Sequence, residues 1–435
     1  MEFVSELIKL FLLTGFIYSL INYSTFFKIE GFETKWMLFL FVLKVIVAFV
    51  GVYYFSVIKG YGKTSDIYAF YNDAIYAGCK LDFIQTVKTL LLPDRFIDEQ
   101  TLKTLKELIY WGRKYQFELL NDNRTMIRVS LLFSLIGFKS YMLHVILFSF
   151  IGFIGTIAFC KVAFLLFEGK RRLIFFAFCL SPSILFFTSG IYKETLLFCF
   201  LGLFTYSFFK SKFRLISLLL VLLLLFPIKL YFFIILLPSF GVFLISRMAK
   251  INHIIAPYGF IFSSLFLVMY IFHDGHNTKN ASANKFDPIE SILNKRTDFY
   301  EDASVQQGTS VYHLPIVFTE SRTFQTVCYS LPFSLAATFI YPSIFKPFKI
   351  DFLFFAIENT LVLVLLCWIL FHFRSVSKIN NFTLFLLVSV VVYASFIGLI
   401  SPIVGNLIRY KTPIIPFVWI LLFQLLPASN FKKID

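Results

Sequence analysis

Long, continuously apolar runs alternate along this chain with shorter polar interruptions. They fall at about 5–25, 36–58, 141–167, 172–188, 194–210, 214–227, 230–246, 254–272, 352–372, 382–400 and 412–428, several of them close to the roughly 20 residues that cross hydrocarbon as a helix. Barrel strands would alternate apolar and polar positions over about 10 residues, and these runs do not. In lipid only a helix satisfies the main chain of such a run. The expected fold is therefore all-α: a polytopic integral membrane helical bundle of about eleven transmembrane helices, forming one transmembrane domain over 1–435.

Two long polar segments interrupt the pattern, at 59–126 and 273–351. The first holds two amphipathic stretches, about 79–92 and about 98–120, the latter with an acidic first turn and apolar residues at helical spacing. Such helices suit the membrane interface, with Trp111 and Tyr115 at headgroup depth. Residues 127–138 are apolar but short and suit a re-entrant element. The second segment is rich in Asn, Asp, Ser and Thr and ends in YSLPFSLAATFIYPSIFKPF. The prolines there favour a broken or surface-lying element over a straight span.

Composition agrees: hydrophobic residues make up 58% of the chain and mean hydropathy is +0.80. The net charge of +15 does not point to nucleic acid, because much of it lies in short clusters between apolar runs. Lys170-Arg171-Arg172, Lys210/Lys212/Arg214, Arg247/Lys250, Arg374/Lys378 and Lys432-Lys433 follow the positive-inside pattern. With these clusters in the cytoplasm, both long polar segments fall on the outer face, as do Lys193-Glu194 and Ser401 to Lys411. The six cysteines are scattered singly and suggest neither a zinc site nor a disulfide framework. The first apolar run has an acidic start and no small-residue cleavage site, as expected of a retained span. No internal repeat is evident, which weighs against a secondary transporter.

Ionisable residues beside or within spans are expensive and mark candidate sites. Asp66 and Asp73, in SDIYAFYNDA, share a face if this stretch is helical. A carboxylate there suits general-base work on a sugar hydroxyl, or a divalent cation carried by a phosphate; the plain alternative is a solvated helix start with Asp66 near its N-cap. In SPSILFFTSGIYKE, Pro182 and Gly190 interrupt an apolar hairpin, Lys193 suits a phosphate, and Glu194 is placed to orient Lys193. The alternative is a turn whose charges snorkel to water. In SPIVGNLIRYKTPIIP, Arg409 offers a planar fork for phosphate oxygens, with Asn406 and Lys411 beside it. Arg322, with Glu320, His313 and Tyr312, forms a fourth group, and one of these cations is a candidate partner for Glu358-Asn359 in the 352–372 run. His273, Asp274 and His276 lack a tight ligand pattern, so no metal site is assigned.

Together these motifs resemble the bacterial polytopic membrane proteins of surface-polysaccharide gene clusters. They comprise a Tyr- and Asp-bearing first outer segment, a Pro-Ser then Ser-Gly-x-x-Lys-Glu hairpin, and Asn-x-x-Arg-Tyr-Lys-x-Pro before the last span. Such proteins are similar to the C-type superfamily of membrane glycosyltransferases, with its O-antigen polymerase-like and ligase-like members. The resemblance implies a polyprenyl phosphate- or diphosphate-linked saccharide as donor, used on the outer face of the bacterial inner membrane, with other polysaccharide-assembly proteins as possible partners. It makes Asp66 the candidate base and Lys193, Arg409 and Lys411 the phosphate contacts. The Asp-Glu pair of many such transferases is absent, since Ile67 follows Asp66, and two spans precede the first large segment. Both departures raise the polymerase-like option, in which arginines carry more of the work. A flippase of lipid-linked saccharide is the rival class: it needs the anion-binding residues but no base.

Overall fold

In the computed structural model, residues 2–62, 65–111, 121–167, 171–209, 228–248, 255–264, 270, 288–305, 309–314, 324–345, 350–372 and 380–426 are described. They fold into seventeen α-helices with no strand among the described residues beyond one isolated bridge between Val311 and Ile403. The chain groups into two compact units, Met1–Leu230 and Tyr231–Asp435.

Unit 1 holds α1 (Glu2–Tyr23), α2 (Thr34–Tyr53), α3 (Asp66–Lys80), α4 (Phe83–Leu91), α5 (Glu99–Lys106), α6 (Asp122–Leu135), α7 (Tyr141–Leu166), α8 (Arg171–Cys179), α9 (Pro182–Phe187) and α10 (Lys193–Phe209). In unit 2 lie α11 (Leu230–Met248), α12 (Pro288–Val305), α13 (Phe324–Ile340), α14 (Leu353–His372), α15 (Asn381–Ile400), α16 (Val404–Lys411) and α17 (Ile415–Leu425). Five helices among the described residues are long and apolar enough to cross a membrane: Val4–Tyr23, Thr34–Ile58, Tyr141–Leu166, Ile350–His372 and Asn381–Ile400. Ile234–Ser246 and Phe324–Ile340 are apolar but shorter. The chain is thus helical and membrane-protein-like. Of the expected runs, 214–227 lies outside the described residues and 254–272 lies partly outside them.

Helix starts follow local chemistry. Asp82 caps α4 in a reciprocal capping box with Gln85, and Asn380 caps α15 in the same way with Thr383. Asn121 and Ser140 cap α6 and α7 through their side chains. The expected span at 172–188 is broken into α8 and α9 at Leu180-Ser181, where Pro182 opens the new helix.

Each unit is built around one buried apolar helix, α7 in unit 1 and α15 in unit 2. Lipid is as apolar as leucine, so helices in it associate through close packing, which small residues permit. At Gly155 of α7 an added Cβ would stand 2.8 Å from the Cys199 Cα of α10, and at Gly202 of α10 it would stand 2.7 Å from the Gly155 carbonyl. At Gly398 of α15 it would meet the Ser334 carbonyl of α13 at 2.1 Å.

Three expectations are corrected. Residues 127–138 do not form an element of their own; most of them belong to α6, whose buried Ile127, Leu131 and Ser134 lie on a helix packed against α3. Trp111 is not an exposed, lipid-facing anchor: it is 1% exposed, with the guanidinium groups of Arg124 and Arg128 at 5.2 and 4.8 Å from its ring. Tyr115 lies outside the described residues. The helix expected over 98–120 is traced only as α5, and 112–120 lie outside the described residues. Pro332 does not break its segment either; it sits on the exposed side of a continuous α13, whose opposite side packs on α15.

Candidate functional site

Asp66, Phe70 and Asp73 occupy one face of α3, four and then three residues apart. That face meets the Ile109-Tyr110 turn. Asp73 is buried and accepts main-chain N–H bonds from Ile109 at 3.1 Å and Tyr110 at 2.8 Å. The Tyr110 hydroxyl donates to Asp66 Oδ1, and the Phe70 and Tyr110 rings lie 5.0 Å apart. Asp73 therefore fixes the backbone of the residue whose phenol contacts Asp66. Its oxygens accept from two amides, whereas Asp66 remains half-buried.

The hairpin turn brings its lysine to the same place. Lys193 Nζ lies 5.6 Å over the Phe70 ring and pairs with Asp122 at 2.8 Å. Asp122 opens α6, and its side chain is 33% exposed against 14% for Lys193, so the pair reaches the surface. Glu194 does not orient Lys193 as expected. Consecutive residues of a helix point about 100° apart, and Glu194 turns inward to bond Lys229 at 2.6 Å, with both side chains essentially enclosed.

Unit 1 also holds a cation that the sequence reading passed over. Lys44 is fully buried in α2, and its Nζ donates to Thr188 Oγ1 at 2.6 Å. Thr188 in turn donates to the Ile184 carbonyl. Lys44 thus ties α2 to the hairpin turn. The signal was present, as a single charge within an otherwise apolar run.

In unit 2 the Asn406–Lys411 group separates into two parts. Asn406 and Arg409 lie three apart on the half-buried side of α16. Lys411 faces inward and is fully buried, donating to Asn359 Oδ1 and to the Thr338 carbonyl at 3.3 Å. Burial lowers its pKa to about 8, against the opposing pull of Glu358. Lys411 is therefore the cation beside Glu358, and its place in the interior sets it apart from an exposed phosphate contact. Arg322 and Glu320 lie outside the described residues, as do His273, Asp274 and His276.

The sequence reading also missed Arg296 of α12. Its Nη1 donates to the Gly398 and Leu399 carbonyls at 3.1 and 2.7 Å, satisfying the last turn of α15. The Tyr312 amide donates to the Pro402 carbonyl, and the Val404 amide donates to Ser310. The second polar segment thereby clamps the loop that launches α16. An arginine in a polar segment carries no sequence signal of such a partner.

Among the described residues, no group of three or more His, Cys, Asp or Glu side chains is placed to hold a metal ion. In unit 1, Asp66 and Lys193 thus join Tyr110 and Asp122 in a surface-reaching group around Phe70, apart from the enclosed Glu194–Lys229 pair. Compared with family models, curated proteins and solved structures, the chain matches none of them.

Proposed function

We propose that this protein transfers or polymerises sugars from a polyprenyl phosphate- or diphosphate-linked donor at the outer face of the bacterial inner membrane. The observation that supports the reading best is the gathering of a half-buried carboxylate, its phenol partner and a surface-reaching lysine pair around Phe70. Asp122 and Lys193 both begin helices, and α7 begins shortly after α6 ends.

In this reading Asp66 accepts the proton of an acceptor hydroxyl as its oxygen attacks the anomeric carbon. The bond from that carbon to the phosphate oxygen breaks, and the phosphate leaves with the electron pair. Lys193 stabilises the developing charge, with Asp122 holding the ammonium until a phosphate replaces it. Tyr110 orients Asp66, and Asp73 holds Tyr110. In unit 2, Arg409 and Asn406 offer a fork and an amide for phosphate or sugar oxygens. No step requires a divalent cation, although Asp66 and Asp122 are donors of the right kind for one carried by the diphosphate.

A flippase of lipid-linked saccharide is the second reading, favoured by the enclosed charges Lys44, Glu194 and Lys229 inside the unit 1 bundle. The two separate in cells carrying Asp66→Asn at matched membrane expression. Under the transferase reading, lipid-linked repeat units accumulate on the outer face and long glycan is lost. Accumulation on the inner face, or unchanged glycan, contradicts it.

A further inference from the structure

Helix α4 is amphipathic in the inverted sense. Thr86 and Thr89 face inward, 3% and 0% exposed, while Phe83, Ile84 and Leu91 stand 68%, 65% and 70% exposed. The inner hydroxyls bond back to their own helix, at the Asp82 and Gln85 carbonyls. The main chain of α4 is anchored from within by Arg128, whose Nε donates to the Thr89 carbonyl at 3.0 Å. The outward orientation is therefore held in place. Leu132 and Ile136, toward the end of α6, are also exposed, as is Phe96. Burying such side chains away from water is favourable, so this face calls for an apolar cover.

Behind α4 lies a cavity of about 230 Å³ between α3, α4 and α6. Ile75, Leu81, Phe83, Leu131 and Leu135 supply most of its apolar wall, and Gly78 leaves room along α3. Lys139 is at its rim and is exposed. Two residues after Lys139 the chain enters α7 at Tyr141, the start of a 26-residue apolar helix. The Tyr71 hydroxyl donates to the Lys139 carbonyl, which fixes this approach. The cavity rim thus lies beside the start of the long apolar helix α7. Lys80, at the end of α3, is a second exposed cation beside Leu81.

We propose that α4 lies in the headgroup layer with its apolar face toward the acyl chains, and that the cavity behind it takes one acyl chain of an anionic membrane phospholipid whose phosphate rests at Lys139. Inverted amphipathicity is what an interfacial helix requires when lipid, and not protein, covers its apolar face. A lysine at the rim supplies attraction of about 1 kcal/mol to an anionic surface. The proposal concerns a lipid that supports the outer segment and holds whether or not the chain transfers sugars.

The full-length protein in mild detergent, with phosphatidylglycerol or phosphatidylcholine added, tests it by native mass spectrometry. Wild type is expected to retain phosphatidylglycerol in preference to phosphatidylcholine, and Lys139→Glu to lower that retention by about fivefold or more. Ser134→Phe, filling the cavity wall, is expected to abolish retention; because it risks misfolding, the exposed Phe83→Ser is its companion and should weaken retention at unchanged Tm. Equal retention of both lipids by wild type, or full retention of phosphatidylglycerol by Lys139→Glu and Phe83→Ser, overturns the proposal. So does displacement of phosphatidylglycerol by stoichiometric polyprenyl phosphate, which would make the cavity part of a donor-lipid site.

Discussion

The two units solve one packing problem alike and one electrostatic problem differently. Both surround a buried apolar helix, and both let a neighbour approach it at a glycine: Gly155 against α10 in unit 1, Gly398 against α13 in unit 2. Both also enclose lysines. Unit 1 gives Lys229 a carboxylate, Glu194, whereas unit 2 gives Lys411 an amide oxygen and a main-chain carbonyl, with Glu358 near enough to act on it electrostatically. An ion pair returns more of the cost of burying two charges than neutral acceptors return for one, but it fails harder when one member is removed. Unit 1 also carries a polar group that reaches the surface apart from its buried pair, and there we place the chemistry. The Lys411 shell holds the junction of α13, α14 and α16.

Glu194→Gln should break the comparison most severely. It leaves Lys229 enclosed without its counter-charge and should cost about 3–5 kcal/mol, read as a large fall in Tm of the purified protein. The double change Glu194→Gln with Lys229→Met should recover most of that loss. Gly398→Ala and Gly155→Ala come next, each about 1–3 kcal/mol, the first the larger because its Cβ would stand 2.1 Å from a carbonyl oxygen. Lys411→Met should cost less than Glu194→Gln, about 1–3 kcal/mol, since the partners that bond it directly are neutral and Glu358 acts on it only electrostatically.

The smallest effect is one of pH. The Lys411 pKa, lowered to about 8, lies below its unfolded value of 10.5. Below about 8 both states hold the proton and this group contributes no slope. Between about 8 and 10.5 the unfolded chain binds the extra proton, so this group's contribution to stability rises with pH. Denaturation followed across that window should show the rise in wild type and lose it in Lys411→Met.

The sequence exposed what depends on local pattern. α2, α7, α14 and α15 begin and end within a few residues of their apolar runs, because run length and capping residues are local. Fold class was legible for the same reason. Asp66, Asp73 and Lys193 were visible as charges beside spans, but their division of labour was not. That Asp73 serves two amides while Asp66 meets a phenol depends on Tyr110, 37 residues beyond Asp73. Glu194 appeared to be a companion of Lys193 because the two are adjacent; helix geometry sends them to Lys229 and Asp122 instead. Lys44 was visible as a lone charge in an apolar run, but its role, like that of Arg296, depends on a distant partner, Thr188 and the end of α15 respectively. Trp111 was misplaced because an amphipathic pattern does not say whether lipid or protein covers the apolar side; two arginines from α6 cover this one.

The central claim is that the working group lies around Phe70 in unit 1, while buried Lys411 is scaffold. It is tested most directly by the chain-length profile of the host surface glycan with Asp66→Asn, Lys193→Met or Lys411→Met, each at matched membrane level. The account predicts loss of long chains with single repeat units persisting for the first two, and near-normal chains for Lys411→Met wherever the protein still accumulates. Long chains surviving both unit 1 changes would contradict it.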